Sequence, residues 1–529
     1  MSASLPRFRG SWRRGVSENK KYDVLVIGCG PTGATLANLL RARGRSAAIF
    51  DREPDVYPTP RAMVLDPESC RIYTSMGILQ RLIPEDASPY ARNEFVDGRR
   101  RRLMTLDFLQ APRRFGFPMG GMVFHQPALE RLLRDDFAKG VAVDAFLGYD
   151  VCAVDGSGEA AKVVATNRDT GERHEFTGRF AVGADGGGSF CRSAIGAERV
   201  DFGYRRQWIV VDLVVHDQKL FDSLPDGSEI RCRRNRSVVY FKGHHKHVRF
   251  DFEAGEALAR NFTAEDALEA ISEYFDPASC EILRVQPFLF HGSMPKAWRA
   301  GRLLLAGDAA HQSPPFSGQG LNMGIRDALN LAFKFELLFR GLAGPALLDT
   351  YQEECWDHCA RLIEGASKRG RMISASTPLA IANRNYSFFR GRRKRKTGFS
   401  LMRRMTNRQP YQQGLIGGSE ASGARMIRPR VTTTGGETWL DDLLGPEFSL
   451  VVSSPTAGAD RDWFTEVLGG TVLHLGRDLS DANGELTRWL GRNNASSVLI
   501  RPDRYVYETG DDGSSLCRSL RRKLEALQD

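Results

Sequence analysis

The chain has 529 residues, long for one domain, so roughly two to four packed units are expected. Hydrophobic residues make up 42% of it, enough for sizeable cores, yet no apolar run reaches about 18 residues, so no membrane-spanning helix is expected. The nine cysteines are scattered without a CxxC pair, which argues against a zinc site or disulfide framework and for a reducing cytoplasm.

The net charge of +10 is gathered in short runs at 99–102, 231–236 and 392–396. These read as separate solvated loops rather than one stripe, so small anionic ligands fit better than nucleic acid. The opening segment to residue 20 is basic and polar, lacks the apolar centre of a secretory signal and is expected to fray.

Residues 22–27 read as an apolar strand. GCGPTG follows at once, then a helical pattern ending at Gly44. Residues 47–50 form a second strand, closed by Asp51. Gly28 permits the tight turn, Gly30 lets backbone approach a pyrophosphate, and Gly33 allows the helix to pack closely on the strand. Pro31 and Thr32 open the helix, whose N-terminus offers free N–H groups to phosphate. Asp51 stands where a carboxylate can take ribose hydroxyls, with Arg52 beside it. This is a complete dinucleotide-binding opening.

Residues 75–125 are less regular, with a hairpin signal at Asp97-Gly98. A strand at 180–182 runs into Gly183-Ala184-Asp185-Gly186, by itself only a turn signal. Strand-like segments dominate from 201 to 289 and read as a separate sheet over the first domain. A buried strand at 303–305 runs into GDAAHQSPPFSGQGLNMG and a long helix. In that segment Asp308 can hold a polyol, and the turn through Gly318 and Gly320 can aim N–H groups at a ring oxygen that gains negative charge on reduction. Residues 376–430 read as a helical or linker segment and 431–529 as a small α/β unit.

GCGPTG, GADG and LLLAGDAAHQSPPFSGQGLNMGIRDALNLAFK, in this order and spacing, resemble the flavin-dependent aromatic hydroxylases of the p-hydroxybenzoate hydroxylase type. RQWIVVDL, the RFDFE segment at Arg249, LLDTYQEE and NASSVLIRPDRYV narrow the resemblance to 3-(3-hydroxyphenyl)propionate hydroxylases, over most of 22–510. It implies an α/β fold: a Rossmann-like FAD-binding domain (21–200 and 290–375, with a small cover segment near 75–125), an inserted β-rich substrate domain (201–289) and a thioredoxin-like domain (431–529). That last domain lacks CxxC and is expected to be structural. FAD is the implied cofactor, held by Gly28, Gly30, Pro31, Thr32, Gly33, Asp51, Arg52, Arg61 in PRAM, Gln126 in FHQP, Asp185, Asp308, Gly318, Gly320, Leu321 and Asn322.

The implied reaction uses NADH or NADPH to reduce the flavin and O2 to hydroxylate a phenolic ring. With no second GxGxxG, the nicotinamide is expected to visit without its own Rossmann domain. The Pro314-Pro315 turn is implied to orient the ring hydroxyl through a carbonyl, and His311 to serve as a structural or catalytic group. Gln207, Trp208, Tyr240 and Arg249 are candidate substrate contacts, Arg249 as a carboxylate clamp or as an interdomain salt bridge. His244, His245 and His247 show no further ligand cluster in the sequence, and no metal is expected. No nucleic acid or integral membrane partner is expected, and a homodimer is allowed for. The basic runs leave two alternatives: a tailoring hydroxylase acting on a larger aromatic natural product, and a flavin redox protein docking a macromolecule or membrane through 388–396. No WxWxIP segment supports a flavin halogenase.

Overall fold

Strands that are apolar at every position, not every second one, must be covered on both faces. The strands Lys21–Ile27 and Ala47–Asp51 have this pattern over 24–27 and 47–50 and lie inside an eight-stranded sheet. The computed structural model describes residues 20–140, 142–234, 236–393, 409–454 and 458–528. The main path of that sheet runs Arg299–Ala300, Leu303–Leu305, Arg173–Gly183, Lys21–Ile27, Ala47–Asp51, Val143–Leu147. Its central pairs are parallel, as βαβ crossovers require. The helices Pro31–Ala42 and Gly320–Phe339 cross so closely that a Cβ on Gly324 would stand 2.1 Å from Thr32 Oγ1. No described helix is long and apolar enough to cross a membrane.

A seven-stranded sheet covers this domain, in the order Cys280–Pro295, Arg199–Val215, His247–Glu253, Val238–Lys242, Ser228–Cys232, Arg92–Asp97, Arg102–Asp107. The last two strands come from the segment near 75–125, expected to be a small cover segment of the first domain. Ser228–Cys232 recruits them by pairing in parallel with Arg92–Asp97. The outer face of the cover sheet, with Ile209, Val211, Leu213, Tyr240 and Phe250, is buried by the helices Glu256–Asn261 and Ala264–Ile271. Residues of opposite parity therefore face the first domain.

The 231–236 run is not a simple solvated loop. Arg231 is buried, pairs with Glu273 at 2.7 Å and lies over the Tyr274 ring. At 99–102, which is exposed, Arg101 pairs with Asp97. The helix Pro378–Arg393 occupies part of the expected linker. The opening lead and the side chains of the 392–396 run lie outside the described residues.

The C-terminal unit has the strand order Thr471–His474, Ser449–Val452, Ser497–Ile500, Val506–Gly510. Only its first pair is parallel, the thioredoxin-like arrangement. It docks through charge that is completely buried. Arg501 makes a bidentate pair with Glu354 at 2.7 and 2.9 Å and also holds Asp503, while Lys334 Nζ lies 2.9 Å from Glu354. Burial opposes ionisation of Glu354, but Arg501 and Lys334 outweigh it and hold its pKa near 2. A folded-state pKa below the ordinary value of 4.5 gives stability that is complete above that pH and is lost as pH falls toward 2. Arg501→Leu strands a buried carboxylate, and chemical denaturation should show a loss of about 3–5 kcal/mol.

Candidate active site

The dinucleotide turn is built as its residue types require. Gly28 has φ +103°, and a Cβ there would stand 2.3 Å from the Ala184 carbonyl oxygen. A Cβ on Gly33 would lie 1.9 Å from the Gly28 oxygen, so helix and turn touch backbone to backbone. Gly30 faces open space, where a phosphate can approach. Asp51 closes the second strand and accepts the N–H groups of Cys29 at 2.8 Å and Glu53 at 2.9 Å.

From this turn a cavity of about 670 Å³ runs to the inner face of the cover sheet. Of the residues expected to hold FAD, Gly28, Gly30, Pro31, Thr32, Asp51, Arg52, Arg61, Gln126, Asp185, Asp308, Gly318, Gly320 and Leu321 line it. Gly33 and Asn322 do not. The Asn322 side chain is consumed inside the protein: it accepts from Asp66 N and donates to the Val64 and Gly318 carbonyls. Asp185 braces the start of the helix Phe190–Ile195, which Ser189 caps, accepting from Ser189 Oγ at 2.6 Å and Cys191 N at 3.0 Å. Gln126 accepts from the Arg61 and Ala62 N–H groups, and so fixes the PRA segment.

Asp308 differs from these. Its carboxylate opens to the cavity and accepts no hydrogen bond from the described residues. Partial desolvation within the cavity raises its pKa, against the pull of His311, Arg61 and Arg192. The turn that aims it is held from behind by Asp327, which accepts from Gly307 N at 2.9 Å and lies 2.6 Å from His311 Nε2. Burial disfavours the charged form of His311, but Asp327 and Asp308 prevail and raise its pKa. His311 is fully buried and does not line the cavity, so its place is behind the turn. Pro315 lines the cavity, whereas Pro314 is buried and its carbonyl accepts from Ser313 Oγ at 3.2 Å.

One residue that the sequence reading passed over tests the fit to FAD. Arg134 lines the cavity beside Asp51 and Glu130, and its Nε and Nη1 are buried without a hydrogen-bond partner. A buried guanidinium with two orphaned donors calls for an anion. Arg134, the open Gly30, the helix N-termini at Pro31 and Gly320, and the unpartnered Asp308 suit a diphosphate joined to a polyol. Gln126, Glu130 and Arg134 recur every fourth residue on the helix Gln126–Ala138, a polar stripe on a buried helix that was readable in the sequence.

The substrate candidates separate by strand face. Tyr240 points outward, donates to the Pro225 carbonyl and does not reach the cavity. Gln207 shares the outward parity and also stays away from it. Trp208 faces inward but is sealed behind Phe290 and Phe316, with its Nε1 donating to Tyr204 Oη. Arg249 does line the cavity. Its Nε donates to Asp251 at 2.8 Å and its Nη1 to the Arg61 carbonyl at 2.8 Å. Arg284 similarly reaches the Pro60 carbonyl while pairing with Asp212. Arg249 is thus an interdomain anchor whose charge Asp251 matches, rather than a free carboxylate clamp.

Asp251, two residues on and facing the same way, also lines the cavity. One of its oxygens takes Arg249, and the other accepts no hydrogen bond from the described residues. Burial raises its pKa, Arg249 lowers it, and the balance lies above the ordinary value. Leu106, Phe108, Ile230, Val239, Phe241 and Phe316 give this end of the cavity apolar walls.

A family profile described as FAD binding domain matches residues 21–366, and one described as HcaD C-terminal domain matches 423–523. The "Probable NADH-specific resorcinol 4-hydroxylase" of Rhodococcus jostii (strain RHA1) is 31% identical over 525 residues, covering 96% of each chain. The chain belongs to the FAD-dependent aromatic hydroxylases.

Other relatives in this family include the "3-(3-hydroxy-phenyl)propionate/3-hydroxycinnamic acid hydroxylase" of Burkholderia cenocepacia (strain HI2424), 28% identical over 93% of this chain and 94% of that one. The fold is shared with aklavinone-11 hydroxylase in its crystal structure with FAD and aklavinone, at a TM-score of 0.80 and 20% identity, over 95% of this chain and 99% of that one. As a member of this family the chain is an FAD enzyme, and its dinucleotide turn and Asp251 line one and the same cavity.

Proposed function

We propose that this hydroxylase places a phenol under the cover sheet with its ring hydroxyl on Asp251, and consumes NADH and O2. The observation that carries the reading is one cavity running from the dinucleotide turn to a buried carboxylate among apolar walls. FAD, when bound, supplies hydride acceptance and oxygen activation. The chain's own part is to hold the ring, exclude water and handle a proton. Asp251 accepts the phenolic hydrogen bond, which raises electron density in the ring, and takes the proton as the ring is oxygenated. Arg249 holds Asp251 in place and ties it to the Arg61 backbone. NADH as reductant is supported by the NADH-specific resorcinol hydroxylase relative.

The substrate's far end meets Arg369. This residue, on the helix Asp349–Ile373, lines the cavity, donates to Ser317 Oγ and has no carboxylate within ion-pair distance among the described residues. Burial lowers its pKa to about 10, still cationic at neutral pH. An acidic side chain on the phenol, as in 3-(3-hydroxyphenyl)propionate, would satisfy it. A second reading, an uncharged dihydric phenol such as resorcinol, is favoured by the neutral Arg249–Asp251 pair.

The test is NADH oxidation by FAD-loaded protein in air with each phenol. Stimulation with a product one oxygen heavier supports the reading. Tightly bound flavin with no stimulation by either phenol discards small phenols in favour of larger aromatics. Arg369→Met should raise KM for 3-(3-hydroxyphenyl)propionate by about 10–100-fold, the worth of a charge-assisted hydrogen bond, and leave KM for resorcinol nearly unchanged. Equal effects on both would remove Arg369 from the substrate site.

A further inference from the structure

We propose that Asp86, His125 and His245 bind one divalent transition-metal ion, of the zinc and nickel type, at the seam between the cover sheet and the FAD domain. The sequence reading found no ligand cluster around the histidines at 244–247; the fold supplies one. The antiparallel pairing of Ala87–Pro89 with Met122–Phe124 sets Asp86 beside His125, whose N–H donates to the Asp86 carbonyl at 2.8 Å. The turn between Val238–Lys242 and His247–Glu253 brings His245 to the same place from the cover sheet. Its Nε2 lies 2.6 Å from Asp86 Oδ1, and His125 Nδ1 lies 3.5 Å from that oxygen. The three ligand atoms all fall within 4.8 Å of one another.

An ordinary ion pair leaves much of this unexplained. One carboxylate oxygen faces two imidazoles, and His125 Nδ1 is buried without a hydrogen-bond partner. The turn carries two non-glycine residues in the left-handed region, His245 at φ +53° and Lys246 at +59°, a conformation that needs compensation. His244 Nε2, 3.3 Å from Ser88 Oγ, holds the turn against the FAD domain.

A tetrahedral ion with bonds of about 2.0–2.1 Å places its ligand atoms about 3.3 Å apart. The His125–Asp86 separation of 3.5 Å is close to this value, and a rotation of the exposed His245 side chain away from its 2.6 Å contact completes the set. Two imidazoles and a carboxylate suit zinc, nickel or copper better than calcium or magnesium, and leave a fourth position for water. Such an ion would staple the 243–246 turn to the FAD domain.

The experiment is calorimetric titration of tag-free, FAD-loaded protein with zinc or nickel chloride after chelator treatment, alongside His245→Ala, Asp86→Asn and Cys152→Ser. The cysteine variant controls for the one exposed thiol. Expected are one ion per chain, binding weakened by at least about 10-fold in His245→Ala and Asp86→Asn, and unchanged binding in Cys152→Ser. Metal should also raise Tm in the parent but not in His245→Ala, whose unchanged flavin content shows it folded. No saturable binding, binding indifferent to the His245 and Asp86 changes, or binding lost with Cys152 would overturn the proposal.

Discussion

Asp251→Asn should lower kcat for phenol hydroxylation by about 10²–10⁴, the usual contribution of a positioned acid–base group, while flavin content stays that of the parent. The change keeps the side chain's shape and removes its charge. Asp251 reaches the FAD cradle only indirectly, through Arg249 and the Arg61 backbone. The pH profile gives an independent check. Burial holds the Asp251 pKa above the ordinary carboxylate value, and only the ionised form accepts the phenolic proton. Activity of the parent should therefore fall on the acid side at a pH above the ordinary aspartate range, and Asp251→Asn should lose this limb. An asparagine variant with the parent's kcat and profile would show that the ring hydroxyl lies elsewhere.

Asp308→Ala should purify with little flavin and bind added FAD about 10–100-fold more weakly, measured by quenching of flavin fluorescence. Asp185 and Asp51 already accept hydrogen bonds from the protein, whereas Asp308 opens to the cavity with none from the described residues. A ligand hydroxyl supplies the partner it lacks. The turn should survive the change, since Asp327 and His311 hold it through Gly307 N from behind. Full flavin retention would remove Asp308 from the cofactor site.

The cofactor end was legible because its signals are local. A strand, a glycine turn and a helix N-terminus are consecutive in the chain, and Gly28 and Gly33 answer contacts with the neighbouring strand end and within the turn, while Gly30 keeps the approach open. The substrate end was less legible for a physical reason. Both faces of the cover strands are buried, since helices cover one and the cavity lies on the other, so a place on a strand does not say which face meets the cavity. Tyr240 and Arg249 looked equivalent as strand residues. The helices Glu256–Asn261 and Ala264–Ile271 decide the matter by covering the Tyr240 side.

By itself the sequence determined the fold class, the family and the dinucleotide turn, because these depend on short-range backbone geometry and on residue types that few other arrangements tolerate. Only the tertiary structure decided what pairs across distance. It neutralised Arg249 with Asp251, left Arg369 and Arg134 without carboxylate partners at hydrogen-bonding distance, and set His245 against Asp86 across 159 residues. Charge matching of this kind is a property of packed surfaces, which no local pattern encodes.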